Sequence, residues 1–382
     1  LTIPILGSIV AKGKLAILTC SRVSALKRVD LPTLGSPTIP IFKLIVIICY
    51  DRVIMLNPSI FREYDIRGIY PDELNEETAY KIGRAFAVYL QANGILSPII
   101  VVGHDARISS PILKRSFIEG ALNEGVDIWD IGLAVVDMVY FASGYFHLPA
   151  VMITASHNSK NWNGFKLMKN DIDFFPIKDL EVIINGEKIS SSQEKGKVVT
   201  EDIKSDYIKH VLWVIDMESI RPMRIAIDVK SDAVGNIFKS IIEKLPVEIS
   251  VDHYHFGCAF DSDGDRISFT DERGQAVNPS IIGALMAKYF LKKYPRGKIV
   301  YNIATGKIVA DVIALYGGEA IRERVGHTFI ERRLKKANGI LGIEASGHYY
   351  FKKNFYADSG IIAFLVMLEI LSGEKKSLSV LA

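Results

Sequence analysis

The sequence has little cysteine and no cysteine pattern. Its 382 residues include only Cys20, Cys49 and Cys258, an odd number at unrelated spacings. Disulfide frameworks and zinc sites require paired or regularly spaced cysteines, so neither is predicted. Proteins that do without disulfides are typical of reducing compartments, and we therefore expect a cytoplasmic location.

The sequence also lacks a membrane span and a broad basic surface. The apolar run at residues 44–50 is too short to cross a bilayer, and no signal-peptide pattern opens the chain. Residues 1–54 hold seven Lys/Arg, two Asp and no Glu, so their net charge is +5. The net charge of the whole chain is +3, so the remaining 328 residues carry −2. This distribution predicts neither a membrane partner nor a nucleic-acid partner.

Residues 1–54 differ in composition from the rest of the chain. They begin with Leu, contain four of the 14 prolines and show no helical or strand period. We interpret them as an atypical extension that is disordered or arises from a mis-assigned start. The alternative is a membrane or targeting element.

From Met55 onward, short β-branched runs alternate with helical patterns. The runs at 99–102, 126–131, 151–155 and 247–254 predict strands. Asn75 is placed to cap a helix whose apolar stripe is Ala79, Ile82, Phe86 and Leu90. This alternation predicts an α/β fold of tandem domains whose mixed sheets are flanked by helices. We place the domains at residues 55–200, 201–296 and 297–382.

An acidic loop, Asp261-Ser262-Asp263-Gly264-Asp265-Arg266, carries the strongest local signal. Carboxylates at i, i+2 and i+4 can converge on one hard cation, and Mg²⁺ suits a site with few protein ligands. An EF-hand is excluded, because Arg266 stands where that loop needs Gly and the flanks are strand-like. The alternative is a solvated acidic turn, but crowding three like charges without a cation is costly.

Three further loops are polar and less specific alone. The stretch TASHNSKNWNGFK (154–166) follows the apolar run 150–153, GIEASGH spans 342–348, and YDIRG spans 64–68. The first two are also explained as ordinary turns. In the third, Arg67 fits a phosphate clamp and a surface salt bridge equally well. Together with the acidic loop and Arg324-Val325-Gly326-His327, and in this order, they resemble the α-D-phosphohexomutases, the phosphomannomutase/phosphoglucomutase superfamily. The resemblance covers residues 55–382.

The resemblance implies an isomerase that interconverts hexose 1-phosphate and hexose 6-phosphate, with mannose or glucose as the sugar. The reaction would pass through a phosphoserine and a hexose 1,6-bisphosphate, which also serves as activator, and Mg²⁺ is the implied cofactor. The implied metal ligands are Ser156, Asp261, Asp263 and Asp265. The implied catalytic residues are Ser156, Lys166, Arg67, His157 and His348, and the implied substrate-binding residues are Tyr64, Arg266, His327, Glu344, Ser346 and His348.

Two departures from the family pattern modify these expectations. We find no Ser/Thr/Arg/Gly-rich loop of the kind that the family's fourth domain uses to bind the remote phosphate. We therefore expect three of the four domains here, with a separately encoded fourth domain as a partner. The second domain also looks shortened, because no helical segment precedes the acidic loop. The alternatives are a non-catalytic remnant that binds Mg²⁺ or phosphosugar weakly, and a phosphoglucosamine mutase.

Overall fold

Runs of β-branched and aromatic residues form the strands of three sheets, and the segments between them form helices. The computed structural model describes residues 56–382, apart from 96–97 and 186–193. The predicted extension 1–54 lies outside the described residues, as do residues 186–193 near the predicted end of the first domain. The predicted fold class, mixed α/β sheets flanked by helices, is confirmed.

The first sheet has six strands around a parallel centre. They are β1 (Ile66–Ile69), β2 (Ile99–His104), β3 (Asp127–Leu133), β4 (Ala150–Ile153), β5 (Trp162–Met168) and β6 (Val198–Thr200), in the order β1-β5-β4-β2-β3-β6. Strands β4, β2, β3 and β6 run parallel, whereas β5 is antiparallel to β1 and β4. The helices of this part are α1 (Glu76–Ala92), α2 (Ser110–Leu122), α3 (Val136–Phe146) and α4 (Ile177–Asn185). Asn75 caps α1 as predicted, since its side chain accepts the Thr78 N–H at 3.0 Å.

The second sheet has five strands. They are β7 (Met223–Val229), β8 (Val247–Ile249), β9 (Phe256–Phe260), β10 (Ile267–Thr270) and β11 (Ala276–Val277), in the order β11-β10-β9-β7-β8. Helices α5 (Lys204–Trp213) and α6 (Asp232–Ile242) precede β7 and β8, and α7 (Pro279–Lys293) follows β11. Strand β8 ends at Ile249, earlier than the strand predicted for 247–254, because the chain turns through His253 with φ of +52°. Among described residues no helix lies between β8 and β9.

The third sheet has four strands. They are β12 (Lys298–Asn302), β13 (Glu319–Glu323), β14 (Leu341–Ile343) and β15 (Tyr349–Phe351), in the order β13-β12-β14-β15. Its helices are α8 (Lys307–Leu315), α9 (His327–Ala337), α10 (Gly360–Glu374) and α11 (Leu378–Leu381). Helix α10 buries 12 of its 15 residues, which is typical of a helix inside a core rather than on a surface. It packs against α5, α7 and β10, so it joins the second and third sheets.

The apolar interior falls into two main clusters. One lies within the first sheet and includes Phe86, Phe117 and Phe165. The larger one runs from α3 through α5 and the second sheet to α10, and it includes Phe141 and Phe364. This continuous packing holds the loops at the strand ends in fixed relative positions. None of the described helices has both the length and the apolar character needed to cross a membrane.

Candidate active site

The serine loop, which we define as residues 154–158, begins where β4 ends. Ser156 has φ of +48°, a left-handed conformation that is uncommon for residues other than glycine. Its N–H donates to Thr154 Oγ1 at 2.9 Å, and that hydroxyl donates to Asp105 Oδ2 at 2.8 Å. The strained turn is therefore fixed by buried hydrogen bonds, and strain of this kind is often found at functional sites.

Arg107 holds the backbone of this loop from the end of β2. Its Nε donates to Asp105 Oδ2 at 3.0 Å, so the guanidinium is oriented by a buried carboxylate. Its two terminal nitrogens donate at 2.6–3.0 Å to the backbone carbonyls of Ser156, Asn158, Ser159 and Trp162. The planar fork of Arg suits such multiple contacts, which a Lys cannot make.

The acidic loop, residues 261–266, connects β9 to β10, as the strand-like flanks predicted. Asp261 Oδ1 accepts the N–H groups of Gly264 at 3.1 Å and Arg266 at 3.3 Å, and Gly264 has φ of +80°. This folds the loop back on itself and turns its alternate side chains inward. One carboxylate oxygen from each of Asp261, Asp263 and Asp265 lies within 4.8 Å of the others.

Lys166 neutralises part of this carboxylate cluster. Its Nζ lies 3.2 Å from Asp263 Oδ2 and 2.8 Å from Asp265 Oδ2, and all three side chains are buried. Burial opposes the charge of Lys166, but the two carboxylates outweigh it and raise the pKa of Lys166 well above its usual value. Burial likewise opposes the charge of Asp265, but Lys166 and His348 hold its pKa well below the usual value. Lys166 therefore stays protonated.

The remaining negative charge in the cluster suits a divalent cation. Burial, Asp265 and Asp263 together raise the pKa of Asp261 well above its usual value. Asp263 Oδ1 and Asp265 Oδ1 are buried and have no hydrogen-bond partner in the described part of the chain. Buried oxygens without partners are costly, and a divalent cation would satisfy both of them. The residues present therefore fit Mg²⁺.

The acidic loop is fixed by residues from outside the second sheet. The Val136 N–H at the start of α3 donates to the Asp263 carbonyl at 3.0 Å, and the Gly360 N–H at the start of α10 donates to the Gly264 carbonyl at 3.2 Å. The Ile267 N–H donates to the Gly347 carbonyl at 3.2 Å. The loop thus depends on contacts with both the first and third sheets.

Basic side chains border the point where the serine and acidic loops meet. Ser156 Oγ lies 3.2 Å from Asp261 Oδ2 and 3.3 Å from His157 Nδ1. Arg266 Nε donates to the same Asp261 oxygen at 3.0 Å. Arg67 pairs with Asp65 at 2.6 Å and donates to the Ala155 carbonyl at 3.2 Å. Burial, Arg266 and Arg67 lower the pKa of His157, so its imidazole is held neutral.

The loop 344–348 approaches the acidic loop from the third sheet. His348 Nε2 lies 3.7 Å from Asp265 Oδ1 and 3.9 Å from Asp358 Oδ2, and its Nδ1 lies 2.7 Å from Ser346 Oγ. Burial lowers the pKa of His348 despite these carboxylates. Ser346 is exposed, whereas the Glu344 carboxylate is buried. That carboxylate accepts hydrogen bonds from Asn302 at 3.0 Å, Gly326 at 3.2 Å and Tyr350 at 2.8 Å.

Tyr64 and His327 contact each other rather than the carboxylates. Their rings lie 5.5 Å apart edge to face, and His327 also contacts Phe174 at 5.2 Å. Burial lowers the pKa of His327 to about 4, and its buried Nε2 has no hydrogen-bond partner among the described residues. Burial and Glu63 raise the pKa of Tyr64 to about 12. Both residues are therefore neutral near pH 7.

The structure brings most of the predicted residues together and adds others that sequence analysis missed. Ser156, His157, Arg67, Lys166, the three aspartates, Arg266 and His348 border one site. Asp105, Arg107 and Asp358 were not predicted. A signal for the first two was available, because Gly103-His104-Asp105-Ala106-Arg107 follows a predicted strand at the edge where the serine loop also begins. Asp358 has no comparable local signal.

Comparisons with known proteins agree with this geometry. The family models described as phosphoglucomutase/phosphomannomutase, alpha/beta/alpha domains I and III, match residues 58–188 and 278–382. The phosphomannomutase of Escherichia coli K12 is 30% identical over 85% of this chain and 79% of the relative. The phosphoglucomutase of Neisseria meningitidis serogroup A is 30% identical over 85% of this chain and 77% of the relative.

A solved structure shows the same fold. The phosphoglucomutase/phosphomannomutase family protein of Burkholderia thailandensis superposes with a TM-score of 0.77 and 26% identity, covering 86% of this chain and 80% of that one. Sequence identity of 30% over most of a relative, together with this fold, confirms the predicted enzyme class, an isomerase. The chain belongs to the phosphoglucomutase/phosphomannomutase family of the α-D-phosphohexomutase superfamily.

Proposed function

We propose that this chain moves a phosphoryl group between the 1- and 6-oxygens of mannose or glucose through phospho-Ser156 and a hexose 1,6-bisphosphate. The observation that carries this proposal is the distance of 3.2 Å between Ser156 Oγ and Asp261 Oδ2, which places one hydroxyl beside the carboxylate cluster. Relatives named phosphomannomutase and phosphoglucomutase support the choice of sugars.

Mg²⁺ would be held by Asp261, Asp263, Asp265 and an oxygen of phosphorylated Ser156. When bound, the cation supplies charge neutralisation at the phosphoryl group. The two buried aspartate oxygens without partners support this set of ligands. Arg266 already pairs with Asp261, so it lies where it can also donate to a phosphoryl oxygen.

The transfer itself needs position and charge balance more than covalent chemistry. A sugar hydroxyl oxygen bonds to the phosphorus as the bond from phosphorus to Ser156 Oγ breaks. The hydroxyl proton passes to a base. The hexose 1,6-bisphosphate then turns over in the cleft, and its other phosphoryl group bonds to Ser156 Oγ as the bond from that phosphorus to the sugar oxygen breaks. The base returns the proton to the sugar oxygen. Arg67, Lys166 and Arg266 surround the point of transfer and balance the charge of the phosphoryl oxygens.

We assign the proton to His348 rather than to Lys166. Both were candidates, but the two aspartates keep Lys166 protonated, whereas burial keeps the His348 imidazole neutral. A neutral imidazole can accept a proton near pH 7, and a paired ammonium cannot. His157, within 3.3 Å of Ser156 Oγ, is neutral as well and is suited to hydrogen bonding with the phosphoryl group.

The sugar would lie between the loop 344–348 and the pair formed by Tyr64 and His327. Ser346 is exposed and can donate to a sugar hydroxyl. Glu344 accepts three protein hydrogen bonds, so binding of a sugar would have to use its remaining acceptor capacity. These roles, and the requirement for a separately encoded fourth domain, stay predictions.

Phosphorylation of Ser156 tests the proposal directly. The protein is incubated with glucose 1,6-bisphosphate and Mg²⁺ and analysed by peptide mass spectrometry. We expect one phosphate on Ser156, its loss in Ser156→Ala, and its retention in the matched control Ser159→Ala. Phosphate on Ser159, or none on the wild-type protein, would contradict the mechanism.

Substrate choice and the two alternatives need a second assay. Conversion of mannose 1-phosphate, glucose 1-phosphate and glucosamine 1-phosphate is followed by phosphorus NMR, with and without an added fourth domain from a relative. Preferred conversion of the mannose or glucose ester supports the proposal. Preferred conversion of the glucosamine ester indicates a phosphoglucosamine mutase, and phosphorylation without conversion under either condition indicates a non-catalytic remnant.

A further inference from the structure

An aromatic cleft lies outside the site described above and shares no residue with it. Its volume is about 750 Å³, and its walls come from α3, α5, α7 and the segment 351–355. This size and an aromatic lining with a few polar groups are typical of small-molecule sites. We call it the aromatic cleft below.

The floor of the aromatic cleft is made of flat rings in fixed positions. The His210 ring stacks on Phe355, with centroids 5.2 Å apart and planes 8° apart, and lies 5.1 Å from Phe141. His210 Nε2 contacts Asn354 Oδ1 at 3.0 Å, and Asn354 donates to the buried Asp137 at 2.7 Å. These buried contacts orient the imidazole, so the floor is formed before any ligand arrives.

Exposed aromatic surface completes the cleft. Trp213 is 64% exposed and Tyr145 is 56% exposed, although both line this concave surface. Large exposed rings grouped in one place indicate a binding surface more often than rings scattered singly. A planar aromatic ring could stack on them and remove this apolar area from water.

The charge at the rim favours an anion. Lys209 is paired with Asp206 at 2.9 Å, but Lys352 and Lys353 form no ion pair with any residue that the structure describes. Lys353 Nζ lies 4.5 Å from the Trp213 ring centroid and 3.4 Å from the Val214 carbonyl oxygen. Burial and then Lys293 lower the pKa of Lys353, so a nearby anion would relieve an unfavourable position for its charge.

We propose that the aromatic cleft binds a small ligand that carries both a planar aromatic ring and an anionic group. The ring stacks against Trp213 and the floor formed by His210 and Phe355. The anion pairs with Lys352 and Lys353 at the rim. The ligand differs in kind from a phosphosugar, which has no aromatic ring, so this site is independent of the mutase site.

A fluorescence titration of the full chain tests this with two matched probes. 8-Anilinonaphthalene-1-sulfonate carries the ring system and an anion, and N-phenyl-1-naphthylamine is the same molecule without the sulfonate. We expect Lys352→Gln/Lys353→Gln to weaken binding of the sulfonate probe by at least about 10-fold, since the sulfonate loses charged hydrogen-bond donors, and to leave binding of the neutral probe unchanged. Trp213→Leu should weaken both probes by a few fold.

The control removes the same charge elsewhere. Lys239→Gln/Lys307→Gln changes two exposed lysines outside the cleft and should bind both probes like the wild-type protein. Lys352→Gln alone alters one exposed side chain, so a partial loss in that variant excludes misfolding as the cause. Equal binding of the sulfonate by the rim and control variants, or insensitivity of both probes to Trp213→Leu, would overturn the proposal.

Discussion

The serine loop and the acidic loop meet at one point but are held by different parts of the molecule. The serine loop is fixed within the first sheet, by Thr154, Asp105 and Arg107. The acidic loop belongs to the second sheet, yet its backbone is held by α3, by the loop after β14 and by the start of α10. Its charge is balanced by Lys166, which lies on β5 of the first sheet.

This difference has a functional consequence. The geometry of the proposed nucleophile, Ser156, is a property of one sheet, whereas the geometry of the proposed cation site requires all three sheets to be packed together. A change in the packing between sheets should therefore alter metal binding before it alters the position of Ser156. A change confined to the first sheet should alter the position of Ser156 before it alters metal binding.

The largest expected effect is confined to the serine loop. Arg107→Ala removes donors to four backbone carbonyls and leaves the acidic loop intact. We expect phosphate transfer to Ser156 to slow by at least about 10²-fold, because a displacement of the reacting hydroxyl by about 1 Å is enough for such a loss. The dissociation constant for Mg²⁺ should change by less than about threefold. Rapid-quench phosphorylation and titration calorimetry measure the two quantities. Arg115→Ala, an exposed change on α2, is the control, and a parallel loss of Mg²⁺ affinity in Arg107→Ala would show that the loops are not independent.

The next largest effect is expected from removing the central carboxylate of the acidic loop. Asp263→Asn keeps the side-chain shape but removes one negative charge and leaves Lys166 with a single charged partner. We expect Mg²⁺ to bind at least about 10-fold more weakly, since a tenfold change corresponds to about 1.4 kcal/mol. Titration calorimetry measures the constant, and Asp252→Asn, an exposed change in the second sheet's connection, should bind like the wild-type protein. Equal affinity in both variants would mean that the cluster is not the metal site.

A smaller effect tests the support from α10. A Cβ at Gly360 would lie 2.8 Å from the Gly264 carbonyl oxygen, so Gly360→Ala must displace the acidic loop or the helix. We expect Mg²⁺ to bind about 3- to 10-fold more weakly, which corresponds to a loss of binding free energy of up to about 1.4 kcal/mol. The rate constant for phosphate transfer at saturating Mg²⁺ should change little. Gly373→Ala lies on the same helix with no atom within 4 Å of its Cβ and is the matched control. An affinity of Gly360→Ala equal to that of the control would remove the argument that the loop depends on α10.

The last effect concerns the stability of the fold and a residue outside both loops. The pKa of His327 is lowered to about 4 from 6.5 by burial. Below pH 6.5 the unfolded chain therefore binds more protons at this position than the folded chain. The contribution of the neutral His327 to the free energy of unfolding is thus fully present above pH 6.5 and is lost as pH falls toward 4. His327→Gln should reduce this loss by about 1–2 kcal/mol at pH 5, as measured by urea unfolding, whereas the exposed His253→Gln should not. Identical pH profiles for all three proteins would contradict the assignment.

Several elements could be predicted because their signals are local. The start of α1 follows from the N-cap Asn75 and its buried face from an apolar stripe, and strands β9 and β10 follow from β-branched and aromatic runs on either side of the acidic loop. Strand β8 was predicted too long, because apolar residues such as Val251 suggested continuation although that side chain is 86% exposed. Burial, which decides such ends, depends on packing that a short window of sequence does not contain.

The sequence alone determined which groups are candidates for the reaction, and the tertiary structure decided how they are held. The hydroxyl after β4, the three carboxylates at alternate positions and the basic residues around them are all local patterns. The pairing of Lys166 with Asp263 spans 97 residues and that of Ser156 with Asp261 spans 105. The role of Arg107 and the anchoring of Gly264 by Gly360 also join distant segments. Such contacts form only when the sheets pack together, so no pattern within a single segment specifies them.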